Sequence, residues 1–157
     1  MTAIRRRSLL LGLAASAAAL PLGAVAAPAL PPMHVLKDPN CGCCDAWVAI
    51  LREDGFAITI EEVPPAEMMR RKLEARIPRA LVSCHTGLID GYAIEGHVPP
   101  ADIRRLLAER PQAIGLSVPG MPFGSPGMGP EDRRDAYEVV LIGPGGTSSV
   151  FASYAAA

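Results

Sequence analysis

The stretch Lys37-Asp38-Pro39-Asn40-Cys41-Gly42-Cys43-Cys44-Asp45-Ala46-Trp47 lies between an apolar run and a helical pattern, and the rest of the chain is arranged around it. The apolar run, Met33 to Leu36, predicts a first strand. After the cysteines, apolar side chains follow the spacing of one helical face, at Cys44, Trp47, Val48 and Leu51. The cysteines are therefore expected at a helix N-terminus, where backbone N–H groups and the helix dipole favour a thiolate over a thiol.

Downstream, strand and helix patterns alternate. They predict strands at Phe56–Val63, Ala80–Cys84 and Leu88–Glu95, and helices at Asp45–Asp54, Pro64–Ala75 and Ala101–Arg110. In the second helix Ala66, Met69 and Leu73 are expected to face inward, and in the third helix Ile103, Leu106 and Leu107. A CxxC at the first strand–helix turn, with Ile77-Pro78 before the third strand, makes this the thioredoxin arrangement. We therefore predict an α/β, thioredoxin-like fold with a central mixed sheet and flanking helices.

Two further segments complete the predicted domain. Residues 111–130 are rich in glycine and proline and include Met121 and Met128, which predicts a long irregular loop that is neither helix nor central strand. Tyr137–Ile142 and Ser149–Tyr154, joined by a glycine-rich turn, predict a C-terminal β-hairpin.

The N-terminus has the pattern of an export signal. Arg5-Arg6-Arg7, an apolar run and the small residues Ala24-Val25-Ala26 predict a signal over residues 1–26 that is cleaved after Ala26. The arginine pair partly fits a twin-arginine signal, with the Sec route as the alternative. An uncleaved anchor is disfavoured because the apolar run is short for a membrane span. Residues 27–32 then form an extended lead, and residues 33–157 form a single domain.

Charge argues against a nucleic-acid partner. The predicted signal contains three of the 15 basic residues and no acid, so its removal changes the net charge from −1 to −4. No basic surface is then expected for nucleic acid. The densest basic run, Arg70-Arg71-Lys72, is interpreted as a solvated helix face.

The four cysteines, Cys41, Cys43, Cys44 and Cys84, all lie in the predicted mature part and permit three interpretations. Two structural disulfides, Cys41–Cys44 and Cys43–Cys84, are disfavoured because adjacent cysteines cannot easily serve two unstrained bridges. In thiol–disulfide exchange Cys41 and Cys44 are the candidate catalytic pair. Cys43 between them is then a competing partner, which is unfavourable for a clean two-electron exchange.

Metal binding uses the whole set of donors. The candidate ligands are Cys41, Cys43, Cys44, Cys84, His85 and His97. Thiolates this close favour Cu(I), and more than one ion, whereas zinc and iron–sulfur centres prefer cysteines that are more widely spaced. Methionine thioethers are weaker candidates, at Met121 and Met128. His34 is expected to take no part, and Trp47 and Tyr92 are expected to be core aromatics.

Four separated motifs between Met33 and Tyr154 resemble those of the CopG-type proteins, a periplasmic thioredoxin-like family formerly of unknown function. The motifs are Lys37 to Trp47, Leu81-Val82-Ser83-Cys84-His85-Thr86, Gly91-Tyr92-Ala93-Ile94-Glu95-Gly96-His97-Val98-Pro99, and Gly115 to Pro122 with Gly124-Ser125-Pro126-Gly127-Met128. The resemblance implies copper binding through these cysteines and histidines, a periplasmic location, and a role in copper resistance or redox handling. It also implies copper ions and a periplasmic copper-handling or redox protein as partners.

The predicted strands and the predicted site conflict at one point. In the thioredoxin arrangement Pro78 lies beside the CxCC motif. Cys84 is six residues further along the predicted strand, which places it about 20 Å from the motif at 3.3 Å per residue. We favour the shared site over the strand placement. The function predicted is an exported copper protein that holds Cu(I) ions, with a thiol–disulfide oxidoreductase or a copper chaperone as the alternatives.

Overall fold

The computed structural model describes residues 29–157, so the predicted export signal lies outside the described residues. Within this range the helices are α1 (Gly42–Glu53), α2 (Pro65–Glu74) and α3 (Pro100–Glu109). The strands are β1 (Met33–Lys37), β2 (Ile58–Glu62), β3 (Thr86–Ile89), β4 (Tyr92–Glu95), β5 (Gly115–Ser117), β6 (Tyr137–Ile142) and β7 (Ser148–Tyr154). None of the helices over 29–157 is long and apolar enough to span a bilayer.

The strands form one mixed sheet in the order β2-β1-β3-β4-β5-β6-β7. The β1–β2 and β4–β5 pairs are parallel, and the other pairs are antiparallel. The predicted α/β, thioredoxin-like fold with its central mixed sheet is confirmed, and so is the C-terminal hairpin, formed by β6 and β7.

Helices cover both faces of the sheet. On one face, Trp47 and Leu51 of α1 and Ile103 and Leu106 of α3 pack with Ile94 of β4 in the main core. On the other face, α2 is held by a small cluster of Leu36, Val63 and Met68. Alternate strand residues supply both layers, as the two-residue period of a strand requires.

The predicted third strand, Ala80–Cys84, is wrong. Residues Arg79–Leu81 form a 3-10 turn, and the third strand begins only at Thr86. The predicted fourth strand, Leu88–Glu95, is divided by Asp90 and Gly91, both of which have positive φ. An Asp-Gly pair at positive φ is a strong signal for a two-residue hairpin, and it makes β3 and β4 antiparallel neighbours.

The predicted loop over residues 111–130 contains a central strand, so this part of the prediction is also wrong. β5 pairs with β4 on one side and β6 on the other. Gly115 opens it, and a Cβ at this position would overlap the Ala93 carbonyl oxygen. The missing side chain therefore permits the close β4–β5 approach. Residues 118–130 remain irregular, as predicted.

The inward face of α2 is also shifted from the predicted one. Met68 and Lys72 are buried, whereas Ala66 and Leu73 are exposed and Met69 is half-buried. Lys72 was interpreted as part of a solvated basic run, but only 2% of it is exposed because its ammonium group pairs with a buried carboxylate. In α3, Ile103 and Leu106 are buried, and Leu107 is partly buried against the core.

Candidate metal centre

The CxCC motif is presented by the turn that ends β1 and begins α1. Asp38 organises this turn, because its side chain accepts the Asn40 N–H at 2.8 Å and its carbonyl accepts the Cys41 N–H at 3.1 Å. Cys41 is the N-cap residue, and Cys43 and Cys44 lie in the first helical turn. The sulfur atoms are thus held at the positive end of the α1 dipole.

Two of the cysteines form a disulfide. Cys41 and Cys44 are bonded, with Cα atoms 5.3 Å apart, and Cys43 and Cys84 are free. The Cys43 sulfur lies 3.6 Å from the Cys41 sulfur. Cys44 is fully buried, whereas the other three cysteines are half-buried. The structure therefore contains an oxidised pair with two free thiols beside it.

Cys84 lies in the same cluster. It belongs to the segment between the 3-10 turn and β3, and its sulfur is within 4.8 Å of the other three sulfurs. The separation of about 20 Å that the predicted strand implied does not occur, because residues 80–84 form no strand. The segment before β3 instead brings Cys84 to the N-terminus of α1.

Two histidines contact the Cys84 sulfur. His85 Nδ1 and His97 Nε2 are each 3.2 Å from Cys84 Sγ. His97 Nδ1 is 2.7 Å from the Pro126 carbonyl oxygen, which only accepts, so Nδ1 carries the proton and donates it. The unprotonated Nε2 is therefore directed at the Cys84 sulfur and is available as an acceptor or a metal ligand.

Burial keeps these groups neutral. Desolvation lowers the pKa of His97 and lowers that of His85 well below its usual value, the nearby His97 and Lys72 adding to the effect at His85. Burial, followed by repulsion from Cys43, raises the pKa of the Cys84 thiol to about 11. Without a metal, Cys84 is a thiol at neutral pH, and a metal that binds its sulfur must displace that proton.

His85 is fully buried. Its ring packs on Trp47 with ring centroids 4.3 Å apart, and its Nε2 is buried without a hydrogen-bond partner among the described residues. Only Nδ1 is directed at Cys84. Trp47 is a core aromatic, as predicted, and it also forms a wall of the site, its indole donating to the Val98 carbonyl at 2.9 Å.

His34 lies outside the two donor groups of the described residues, which consist of the four cysteines and of Cys84 with His85 and His97. His34 hydrogen-bonds Thr59 and Glu61 on the β1–β2 side of the sheet. Met121 is 55% exposed and Met128 is half-buried.

A buried polar network that was not predicted from the sequence lies beside the cluster. Glu95 is fully buried and accepts hydrogen bonds from Lys72 and Thr86 and from the Ser83 backbone. Met68 and Lys72 share an i, i+4 spacing, which was the available signal that Lys72 lies on the inward face. The contact between His97 and the Pro126 carbonyl could not be predicted from the sequence, because every residue has a backbone carbonyl.

Comparisons with known proteins agree with this geometry. A family model described as "Protein of unknown function, DUF411" matches residues 81–128. A solved structure described as "Copper resistance protein copG- Form 1" is 45% identical, with a TM-score of 0.75 over 80% of this chain and 98% of its own. The chain belongs to the CopG family. A second solved CopG structure, Form 2, is 47% identical with the same coverage and a TM-score of 0.73. No curated protein matches the sequence.

The CopG relationship extends over nearly the whole of the solved relatives, so the resemblance in the cysteine motifs reflects common fold as well as local sequence. In this chain, that fold brings four sulfur atoms together in a group able to hold a metal ion.

Proposed function

We propose that this protein is a periplasmic copper-binding protein that holds Cu(I), and more than one ion, in copper resistance or copper-linked redox handling. Its ligands are the thiolates of Cys41, Cys43, Cys44 and Cys84, assisted by His85 and His97. The observation that carries the proposal is that four sulfur atoms lie within 4.8 Å of one another. The description of the solved CopG relatives as copper resistance proteins supports copper as the metal.

The donor set fits Cu(I). Thiolates and imidazoles are the ligand types that Cu(I) accepts, and sulfur atoms this close favour sharing between ions. A closed zinc site requires four separated ligands at tetrahedral angles, which adjacent Cys43 and Cys44 do not readily provide. The Cys41–Cys44 disulfide must first take up two electrons and two protons from a dithiol, which is oxidised to its disulfide. Copper loading is thereby coupled to the redox state of the protein.

The test is anaerobic reconstitution with Cu(I) of the reduced and of the disulfide form, followed by metal and thiol analysis. We expect several copper ions per reduced chain, with all four thiols protected from alkylation. The disulfide form should bind fewer, because only Cys43 and Cys84 are free. One copper or none in the reduced protein would contradict the proposal.

Replacement of Cys43 by Ser separates copper binding from disulfide exchange. If the cluster binds copper, Cys43→Ser should abolish multinuclear loading, because it removes the sulfur between the two motif cysteines. Ala49→Ser, exposed on the same helix, is the matched control and should bind as the wild type does. Unchanged copper stoichiometry in Cys43→Ser would exclude the cluster.

The Cys41–Cys44 disulfide favours a second candidate function, thiol–disulfide exchange with protein substrates. In the reduced protein, the half-buried Cys41 would attack a substrate disulfide and release one substrate thiol. Buried Cys44 would then attack the Cys41 sulfur and release the second. This function predicts that Cys43→Ser still reduces a disulfide substrate such as insulin while Cys41→Ser does not. The copper-chaperone alternative predicts exposed ligands, whereas Cys44, His85 and His97 are buried.

A further inference from the structure

A buried carboxylate holds the segment that carries Cys84 and His85. Glu95 is 0% exposed, and its Oε1 accepts the Ser83 backbone N–H at 2.5 Å while its Oε2 accepts the Thr86 hydroxyl at 2.7 Å. These two donors stand immediately before and immediately after the Cys84–His85 pair. One side chain therefore binds both ends of the two-residue segment that contributes a sulfur and an imidazole.

The carboxylate is itself held by a buried cation. Lys72 is 2% exposed, and its Nζ lies 2.5 Å from Glu95 Oε1 and 3.0 Å from Thr86 Oγ1. Moving two charges out of water is costly. Replacing a buried ion pair by well-packed apolar residues often leaves a protein equally stable or more stable. Stability alone is therefore a weak reason for an ion pair at this place, whereas a geometric constraint on the neighbouring segment is a sufficient one.

Other contacts hold the same segment further upstream. The Ser117 hydroxyl donates to the Leu81 carbonyl at 2.6 Å, and the Gly120 N–H donates to the Val82 carbonyl at 3.4 Å. These contacts anchor residues 81 and 82. The Ser83 hydroxyl also donates to the Gly120 carbonyl, and the Gly96 N–H donates to the His85 carbonyl at 3.0 Å, but Glu95 is the side chain that binds residues on both sides of the Cys84–His85 pair. Both Glu95 oxygens are already engaged, and Glu95 is absent from the donor groups of the described residues, so it acts on the site through Ser83 and Thr86.

We propose that Glu95, held by Lys72, is a positioning residue that keeps the Cys84 sulfur and the His85 ring against the cysteines of α1. The copper readout of its test rests on the proposed function, but the geometric claim does not. Without Glu95 the segment moves outward, and Cys84 becomes accessible independently of the rest of the fold. Residues that orient metal ligands in this way typically alter metal affinity by about 10-fold or more when they are replaced.

The test compares alkylation of Cys84 and Cys43 in the reduced, metal-free protein, with N-ethylmaleimide and peptide mass spectrometry. Glu95→Asp keeps the charge but shortens the reach. Thr86→Val removes the hydroxyl that donates to Glu95 and accepts from Lys72, but it keeps the contact between Glu95 and the Ser83 backbone. We expect the ratio of the Cys84 rate to the Cys43 rate to rise about tenfold in Glu95→Asp and less in Thr86→Val, given the strength of hydrogen bonds to charged groups. Asp102→Asn, which alters another buried carboxylate bonded to Tyr154, should leave the ratio unchanged.

An unchanged ratio in folded Glu95→Asp would overturn the proposal, and if that variant does not fold, an unchanged ratio in Thr86→Val would do so. A second measurement is Cu(I) affinity by competition with bicinchoninate, where Glu95→Asp should bind about tenfold more weakly. If the wild type binds Cu(I) and Glu95→Asp binds it with equal affinity, this result would also contradict the proposal. If the wild type binds no Cu(I), the proposed function fails, while the alkylation ratio still decides the role of Glu95.

Discussion

At Cys84 a single sulfur atom belongs to two groups of donors. It lies within 4.8 Å of the three CxCC sulfurs, and it is 3.2 Å from one nitrogen of His85 and from one nitrogen of His97. Its raised pKa means that a proton stays on the sulfur until a metal or a base removes it. A metal that bound this sulfur would therefore release a proton.

Gly127 brings the loop over residues 118–130 onto the N-terminus of α1. It has a φ of +84°, and a Cβ there would lie 2.7 Å from the backbone nitrogen of Trp47 and 2.9 Å from the Cys43 carbonyl oxygen. Gly120 has a similar φ of +71° but no atom within 4 Å of its Cβ position. A side chain at either position would therefore be strained by the positive φ. Only at Gly127 would its Cβ also collide with neighbouring atoms.

We predict that Gly127→Ala lowers the free energy of unfolding by about 2 kcal/mol more than Gly120→Ala, because only the first forces the loop away from α1. The measurement is urea denaturation of both variants with the Cys41–Cys44 disulfide intact. Equal losses in the two variants would mean that the loop does not press on the helix as the structure indicates.

Among the elements, the β6–β7 hairpin is joined to α3 by aromatic side chains. Tyr137 and Tyr154 stack with centroids 4.8 Å apart, and the Tyr154 hydroxyl donates to Asp102 Oδ2 at 2.7 Å. Burial raises the pKa of Tyr137 to about 12, and burial with the Asp102 hydrogen bond raises the pKa of Tyr154 further. Both phenols are therefore neutral in the folded protein over a range in which unfolded tyrosines ionise.

This difference in pKa between folded and unfolded tyrosines makes the free energy of unfolding depend on pH in the alkaline range. Because the folded pKa values are raised, the contribution is fully present below the unfolded value of about 10 and is lost as pH rises above it. We predict that the urea midpoint falls between about pH 10 and 12, and that Tyr154→Phe reduces this fall. Tyr154→Phe changes no thiol and no lysine, so the same slope in this variant would refute the assignment to Tyr154.

Across the whole molecule, the site lies at one edge of the sheet. The carboxyl ends of parallel β1 and β2, the end of β4 before His97 and the start of antiparallel β3 beside Cys84 all meet there. The end of β5 leads from the same edge into the loop that contains Pro126. Binding at the carboxyl ends of strands is common in α/β sheets, because loops from separate strands converge there.

At the same scale we predict that residues 1–26 are removed on export. The mature protein isolated from the periplasm should begin at Ala27, which intact-mass and N-terminal peptide measurements would show. If the twin-arginine route is used, Arg6→Lys with Arg7→Lys should block export, whereas unaffected export would indicate the Sec route. A periplasmic or membrane-bound protein that retains residues 1–26 would contradict cleavage.

The amino-acid sequence by itself determined the fold class, the helix that carries the cysteines and the donor types, because these depend on local patterns. Spacing along one face predicted the buried residues Cys44, Trp47, Val48 and Leu51, and all four are buried. Asp90-Gly91 shows that a local signal for the β3–β4 hairpin was also present but was not used.

Only the tertiary structure decided how distant segments meet. The position of Cys84 depends on where β3 begins, and the burial of Lys72 depends on a carboxylate 23 residues away. β5 is a strand because β4 and β6 supply its hydrogen bonds on both sides, although its glycine-rich sequence favours a loop. In each case the deciding interaction joins residues far apart in the chain, and no local pattern of residue types encodes such a pairing.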